Sequence, residues 1–291
     1  VVNLGLDASR SQVRETYSNN SIATYQFDDT NTDNFVFNPG KNYAEFQHKN
    51  NTTLDAYLVY AKELNGAIKR FDVQGGYSYQ NFKTDGNSER YQYNDITGIR
   101  ELAPSTVPNN RYYNLLNLQS FFGRTNFDVL NKYLFTFSLR ADASSLFRED
   151  KRWGYFPAAA VAWKLKEESF LADSKLINDL KLRLSWGKTG QQDITGLGGG
   201  FYPSSPLFEI GGATSQYLQG VSLYSARAFN PDLTWEKSTT YNAGLDFEFF
   251  KNNFVSGSVD IFYRKTTDLL AVVELPPGQG LSNSFVKNVA T

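Results

Sequence analysis

Residues Thr240-Tyr241-Asn242-Ala243-Gly244-Leu245-Asp246-Phe247-Glu248-Phe249 alternate without a break. Tyr241, Ala243, Leu245, Phe247 and Phe249 make one row, and Thr240, Asn242, Gly244, Asp246 and Glu248 make the other. Successive side chains of a strand point to opposite faces, so the segment reads as a strand with one apolar and one polar face. The period of two recurs downstream, where Val255, Gly257, Val259, Ile261 and Tyr263 oppose Ser256, Ser258, Asp260 and Arg264. Upstream it governs Leu180, Leu182, Leu184 and Trp186, then Tyr133, Phe135, Phe137, Leu139 and Ala141, then Phe71, Val73, Gly75, Tyr77 and Tyr79. One link breaks the pattern. Between Glu167 and Asn178, the residues Phe170, Leu171, Leu176 and Ile177 predict a short amphipathic helix.

A soluble β-sandwich shows the same alternation, so length and connection pattern must choose. A strand that crosses a bilayer needs about 9–11 tilted residues, whereas soluble strands average about 5–6. Lys69 to Phe82, Tyr113 to Leu130, Lys132 to Ser145 and Phe254 to Leu270 all exceed the soluble norm. The links then alternate in length. Short ones fall at Asn65-Gly66, Asn131 and Lys251-Asn252-Asn253, and long ones at Arg10 to Tyr43, Lys83 to Tyr112, Asp142 to Trp153, Gly190 to Trp235 and Pro276 to Ser284. Short turns on the periplasmic side and long loops outside are the mark of an up-and-down outer-membrane barrel. Soluble domains rarely keep several loops beyond about 15 residues. The expectation is an all-β, antiparallel transmembrane β-barrel stretch of about nine or ten strands with one short periplasmic helix. It runs as one unit over residues 1–291, with no inter-domain linker and no repeat of fixed period.

Composition agrees and removes other classes. Aromatic residues reach 15%, with 23 Phe and 18 Tyr, as barrel girdles require. There is no cysteine, so neither a disulfide framework nor a thiolate metal site is possible. The single histidine, His48, excludes a His-rich zinc site and argues against a His-based triad. A net charge of -1 removes the counterion-release argument for nucleic acid. No run of about 18 apolar residues offers a transmembrane helix. The start, Val1-Val2-Asn3-Leu4-Gly5-Leu6, is neither an initiator Met nor a signal peptide, and Met is absent throughout, so the chain reads as a piece of something longer.

Hydrocarbon offers backbone groups no partner, so strands cross it only within a closed barrel. The apolar rows are therefore expected to face lipid, with Tyr133, Trp163, Trp186 and Tyr241 at headgroup level. The polar rows, with Arg140, Arg183, Asp246 and Asp260, are expected to line the lumen.

Arg140-Ala141-Asp142-Ala143-Ser144-Ser145-Leu146-Phe147, followed by Arg152-Trp153-Gly154-Tyr155-Phe156-Pro157, resembles the SusC/RagA family of TonB-linked outer-membrane proteins. So do Ala162-Trp163-Lys164-Leu165, Glu168-Ser169-Phe170-Leu171, Leu180-Lys181-Leu182-Arg183 and Ser185-Trp186-Gly187-Lys188-Thr189-Gly190-Gln191. A second block is similar to the family at Asn230-Pro231-Asp232-Leu233-Thr234-Trp235-Glu236-Lys237 and Gly244-Leu245-Asp246. It continues through Val259 to Leu270 and Leu275-Pro276-Pro277-Gly278-Gln279-Gly280. Residues 112–291 carry the resemblance, and residues 1–111 supply generic barrel strands. One departure is Asp142-Ala143-Ser144-Ser145-Leu146-Phe147, where the family usually has Asp-Gly-Ser-Ser-Arg-Phe.

The resemblance implies a barrel of about 22 strands, of which this chain holds under half. The plug domain, the segment that contacts TonB and the closing strands are expected outside these residues. It further implies location in the outer membrane of a Gram-negative bacterium, amid outer-membrane lipid. The implied activity is energy-dependent import of oligosaccharides, or in some members peptides. A SusD-like surface lipoprotein would be the partner, and TonB would act through the plug. No cofactor and no enzymatic step is implied. Two rivals stay open on the residues alone: a plug-free porin or surface-adhesin barrel, and a soluble β-rich carbohydrate-binding domain.

Sugar rings stack on aromatic faces while their hydroxyls take polar partners. The substrate-contact candidates are therefore the loop aromatics Tyr91, Tyr93, Tyr112, Tyr113, Phe201, Tyr202, Phe208, Tyr217 and Tyr224, although packing between loops would explain the same residues. Asp28, Asp29, Asn31, Asp33 and Asn34 crowd oxygen ligands but lack the glycine and terminal acid of a calcium loop. Gly196, Gly198, Gly199 and Gly200 lack the Lys-Ser/Thr of a phosphate loop. Glu167-Glu168 sits in a polar turn and gives no basis for acid/base catalysis.

Overall fold

A computed structural model of the chain describes residues 1–15, 24–28, 31–38, 42–93, 100–102, 111–197, 200–210, 224–226, 228–250, 254–274, 276 and 284–289. Nine long strands carry the fold: β1 (Val2–Glu15), β2 (Asn42–Glu63), β3 (Ile68–Tyr93), β4 (Arg111–Val129), β5 (Tyr133–Ser144), β6 (Trp153–Lys164), β7 (Ile177–Gln191), β8 (Glu236–Phe249) and β9 (Val255–Thr267). Each pairs antiparallel with its neighbour in the chain, and Arg100–Leu102 adds to the end of β3 to complete a 10-stranded sheet. This is the up-and-down order expected, and among the described residues the sheet is open, with β1 and β9 as its edges. Separate two-stranded ribbons pair Thr24–Asp28 with Asn31–Asn38, Phe208–Ile210 with Tyr224–Ala226, and Leu269–Glu274 with Ser284–Val289.

The apolar rows form one continuous face because the register never slips between them. Phe137, Phe135 and Tyr133 lie opposite Ala159, Val161 and Trp163. These lie opposite Trp186, Leu184 and Leu182, which in turn face Tyr241, Ala243 and Leu245. The last three are partnered by Tyr263, Ile261 and Val259. A slip of one residue anywhere would turn a whole row inside out. The face is not sealed: Leu184 is 46% exposed and Ile261 74%. A soluble sandwich would bury these rows, so the solvent this face was built for is not water.

The short-turn end is locked by side chains. Leu130 and Asn131 both take φ of 57°, the left-handed backbone a tight hairpin needs, and the Lys132 N–H closes the turn on the Val129 carbonyl at 3.0 Å. The predicted helix is a single turn, Ser169–Ala172, after a 3-10 turn at Leu165–Glu167. Lys166 donates to the carbonyls of Leu171, Ala172 and Ser174, which ends the helix early, and Ile177 already belongs to β7. Glu168 takes bonds from Lys132 at 2.9 Å, Tyr133 at 2.8 Å and Trp163 at 3.1 Å, fastening the turn to β5 and β6.

The buried core sits at the other end. Leu146, Phe147, Phe156, Ile194, Leu233, Trp235, Leu270 and Val286 cluster where the long connections meet. Trp235 packs on Phe147 and edge-on to Phe156, and its indole N–H donates to the Arg152 carbonyl at 2.8 Å. Asn288 ties the ribbon of Leu269–Glu274 and Ser284–Val289 to the Thr234 and Asp268 carbonyls. Leu146, which stands where the resembled family usually has Arg, is fully buried in this cluster.

Candidate functional site

The polar face carries the candidate site. At mid-height it is a ladder of paired charges. Arg183 donates to both oxygens of Asp246 at 3.0 Å and reaches Asp260 at 3.1 Å, while Lys181 bridges Asp246 at 2.9 Å. Arg140 donates to Ser120 and to Asp142, both at 2.7 Å, with the Phe122 ring 5.7 Å from its guanidinium. The four charged residues expected in the lumen thus share one face, with Arg183, Asp246 and Asp260 spent on one another and Arg140 on Asp142.

Above that ladder the strands keep going. β2 has 22 residues and β3 has 26, at least twice what a bilayer requires, so their long-loop halves project beyond the apolar band. On this projecting wall Tyr112, Gly86 and Gln47 lie side by side across β4, β3 and β2, on the same face as Arg140. The Tyr112 side chain crosses Gly86, and its hydroxyl arrives at β2, where it donates to Glu45 Oε1 at 2.7 Å and accepts from Gln47 Nε2 at 2.9 Å. Tyr43 donates to the other oxygen of Glu45 at 2.7 Å. A side-chain carbon at Gly86 would stand 2.5 Å from the Tyr112 ring, so only glycine leaves the phenol room to lie down. The two hydroxyls hold the Glu45 carboxyl below its ordinary range, and burial together with that carboxylate raises the Tyr112 phenol. The result is an aromatic ledge, half exposed, with carboxylate and amide oxygens at its rim.

The other expected contacts divide. Tyr113 is the next residue and points to the opposite face, where Lys83 sits 5.1 Å from its ring beside Asp85 and His48. Tyr91 and Tyr93 end β3, opposite Asn42 and Arg100, and Tyr224 pairs with Ile210 in a ribbon, with their side chains outside the described residues. Phe201 is half-buried, Tyr202 exposed, and Phe208 70% exposed at the start of its ribbon. Tyr217 lies outside the described residues, as do Asp29, Gly198, Gly199 and the side chains of Asp28, Asn31, Asp33 and Asn34. Glu45, Gln47 and Gly86 were not singled out in the sequence; the signal was there in the alternation of Tyr43, Glu45 and Gln47. Among the described residues no group of three or more His, Cys, Asp or Glu is placed to hold a metal ion. Glu168 is kept ionised, with its carboxyl lowered to about 2 by Lys132, Tyr133 and Trp163.

The family model described as TonB dependent receptor-like, beta-barrel matches residues 2–291. The chain belongs to that family. TonB-dependent receptor SusC of Bacteroides thetaiotaomicron is 41% identical over 249 residues, covering 84% of this chain and 24% of SusC. TonB-dependent receptor P26 of Formosa agariphila is 34% identical over 239 residues, covering 80% of this chain and 23% of that receptor. Among solved structures, the RagAB peptide transporter superposes with a TM-score of 0.74 at 23% identity, covering 99% of this chain and 30% of that one. The TonB-dependent barrel fold and the SusC/RagA type are thereby established, and the chain spans about a quarter of the length of its curated relatives.

Proposed function

We propose that this chain is one partial barrel, residues 1–291, of an outer-membrane importer that takes up oligosaccharides in a TonB-dependent manner. In this reading the plug and the closing strands come from the rest of the protein, and a SusD-like surface lipoprotein covers the long-loop end. The apolar face meets lipid in the outer membrane of a Gram-negative bacterium, and the polar face lines the path. Membership of the receptor family and identity to SusC support transport. The observation that carries the choice of a glycan is the Tyr112 ledge. A flat phenol with its edge pinned presents an open face to the C–H side of a pyranose, and the Glu45 and Gln47 oxygens beside it can accept sugar hydroxyls. A peptide would ask for unpaired backbone donors or a charged pocket, and the central charges of this face, Lys181, Arg183, Asp246 and Asp260, are already paired with one another.

The test is binding of the full-length receptor to a panel of α- and β-linked glucan oligosaccharides by calorimetry, with Tyr112→Ala and Tyr112→Phe beside the wild type. At least one glycan should bind, with affinity falling about tenfold or more in Tyr112→Ala, the usual worth of one stacked ring. Tyr112→Phe should keep most of the binding. Absence of glycan binding, or equal affinity in Tyr112→Ala, would remove the proposal.

A further inference from the structure

Lysines stand on the apolar face just beyond its aromatic row. Lys188, Thr239 and Lys265 are direct partners across β7, β8 and β9, one outward position past Trp186, Tyr241 and Tyr263. Two strand spacings separate the two lysines, roughly 10 Å between backbones. Both are exposed, and neither has a carboxylate partner among the described residues. Lys237, two residues further along β8 on the same face, is held by Asp268 at 3.1 Å. On the hydrocarbon side of the lysines lies an open groove of about 630 Å³, floored by Ala159 and Ala243 and walled by Phe137, Trp186, Tyr241 and Ile261. The groove follows from the register, which sets Ala159 between Phe137 and Trp186, and Ala243 between Leu184 and Ile261.

This pairing of features selects its occupant. A free lysine beside a lipid-facing surface is costly unless its ammonium reaches an anion or water at the interface. Two such side chains, rooted on backbones roughly 10 Å apart on the side of the long loops, can converge on one phosphate from a headgroup lying between them. An apolar trough running down from that point accepts an acyl chain of the same molecule. We propose that Lys188 and Lys265 bind the phosphate of an acylated glycolipid of the outer leaflet, of the lipid A class, with one acyl chain seated against Ala159 and Ala243. The inference rests on the reading that this face meets lipid. Such a molecule would act as an annular anchor, fixing the receptor's height in the bilayer.

Native mass spectrometry of the full-length receptor in detergent tests it, using diphosphoryl lipid A, the same glycolipid without phosphate, and phosphatidylglycerol as probes. The wild type should retain diphosphoryl lipid A about tenfold better than either of the others. Lys188→Gln with Lys265→Gln should lose that preference, the arginine pair should keep it, and Ala159→Phe should weaken retention by filling the trough. Equal retention in the glutamine pair, or equal retention of the phosphate-free glycolipid or of phosphatidylglycerol, would overturn the assignment. Heat-modified gel mobility separates the two levels of the argument. A barrel that inserts into vesicles but retains lipid A regardless of the lysines defeats this inference alone, whereas a chain that never enters lipid defeats the transporter reading as well.

Discussion

At the scale of single residues, side chains with ordinary chemistry do their work through register. Tyr112 is one tyrosine among 18, and its type alone marks it as a sugar contact or as packing. What distinguishes it is Gly86 on the neighbouring strand and Glu45 one strand further, a relation that no local spacing reveals. Gly86 even argues the wrong way locally, because Asp85-Gly86 is a turn signal that here lies in mid-strand. Glu168 is a second case. It looks like an idle turn carboxylate, yet three donors converge on it, Tyr133 and Trp163 from two strands and Lys132 from the hairpin turn. Its carboxyl falls from 4.5 to about 2, so its contribution to stability is complete above about pH 4.5 and is lost as the pH drops through about 2. The melting temperatures of wild type and Glu168→Gln should therefore differ fully at pH 6 and converge as the pH approaches 2. A gap that stays constant across that range would show that the carboxylate's charge plays no part in the knot.

At the scale of elements, the staves were legible where their two faces meet different solvents and illegible where they do not. Tyr133–Ser144 and Glu236–Phe249 stand out because one face is apolar and the other wet. Lys83-Thr84-Asp85-Gly86-Asn87-Ser88-Glu89 looks like a loop, yet it is strand, paired throughout with β2 and, from Lys83 to Asn87, with β4 as well. Beyond the apolar band both faces meet water, so alternation disappears while the backbone ladder continues. The long links expected at Arg10–Tyr43 and Lys83–Tyr112 are accordingly shorter than the composition suggested. The face assignment itself is testable on adjacent residues. Leu184 lies opposite Val161 on the apolar face, and Ser185 opposite Ala160 on the polar one. Leu184→Arg should cost roughly 2–4 kcal/mol in folding into lipid vesicles, the range for an arginine near the midplane of the lipid face. Ser185→Arg should cost close to nothing. If the costs come out in the opposite order, the two faces have been exchanged.

At the scale of the whole molecule, two regions are held by different forces. The staves bury few apolar side chains; their cohesion is the antiparallel ladder, and the apolar face awaits hydrocarbon. The loop end has an ordinary water-driven core, in which Leu146, Ile194 and Leu233 are fully buried and Trp235 nearly so. The segment Asn230-Pro231-Asp232-Leu233-Thr234-Trp235, quoted above only as a family resemblance, turns out to be the keystone of that core. Aqueous and lipid-facing cohesion should then fail separately. Truncating a buried tryptophan costs about 3–5 kcal/mol where the site cannot collapse. In Trp235→Ala that loss should fall on the loop cluster: amide exchange should accelerate in Leu269–Glu274 and Ser284–Val289, whose ribbon docks there, while β5 to β8 below Trp186 stay protected. Uniform acceleration across the staves would mean that the loop core and the barrel wall fold as a single cooperative unit, and that the wall draws on aqueous burial for its stability.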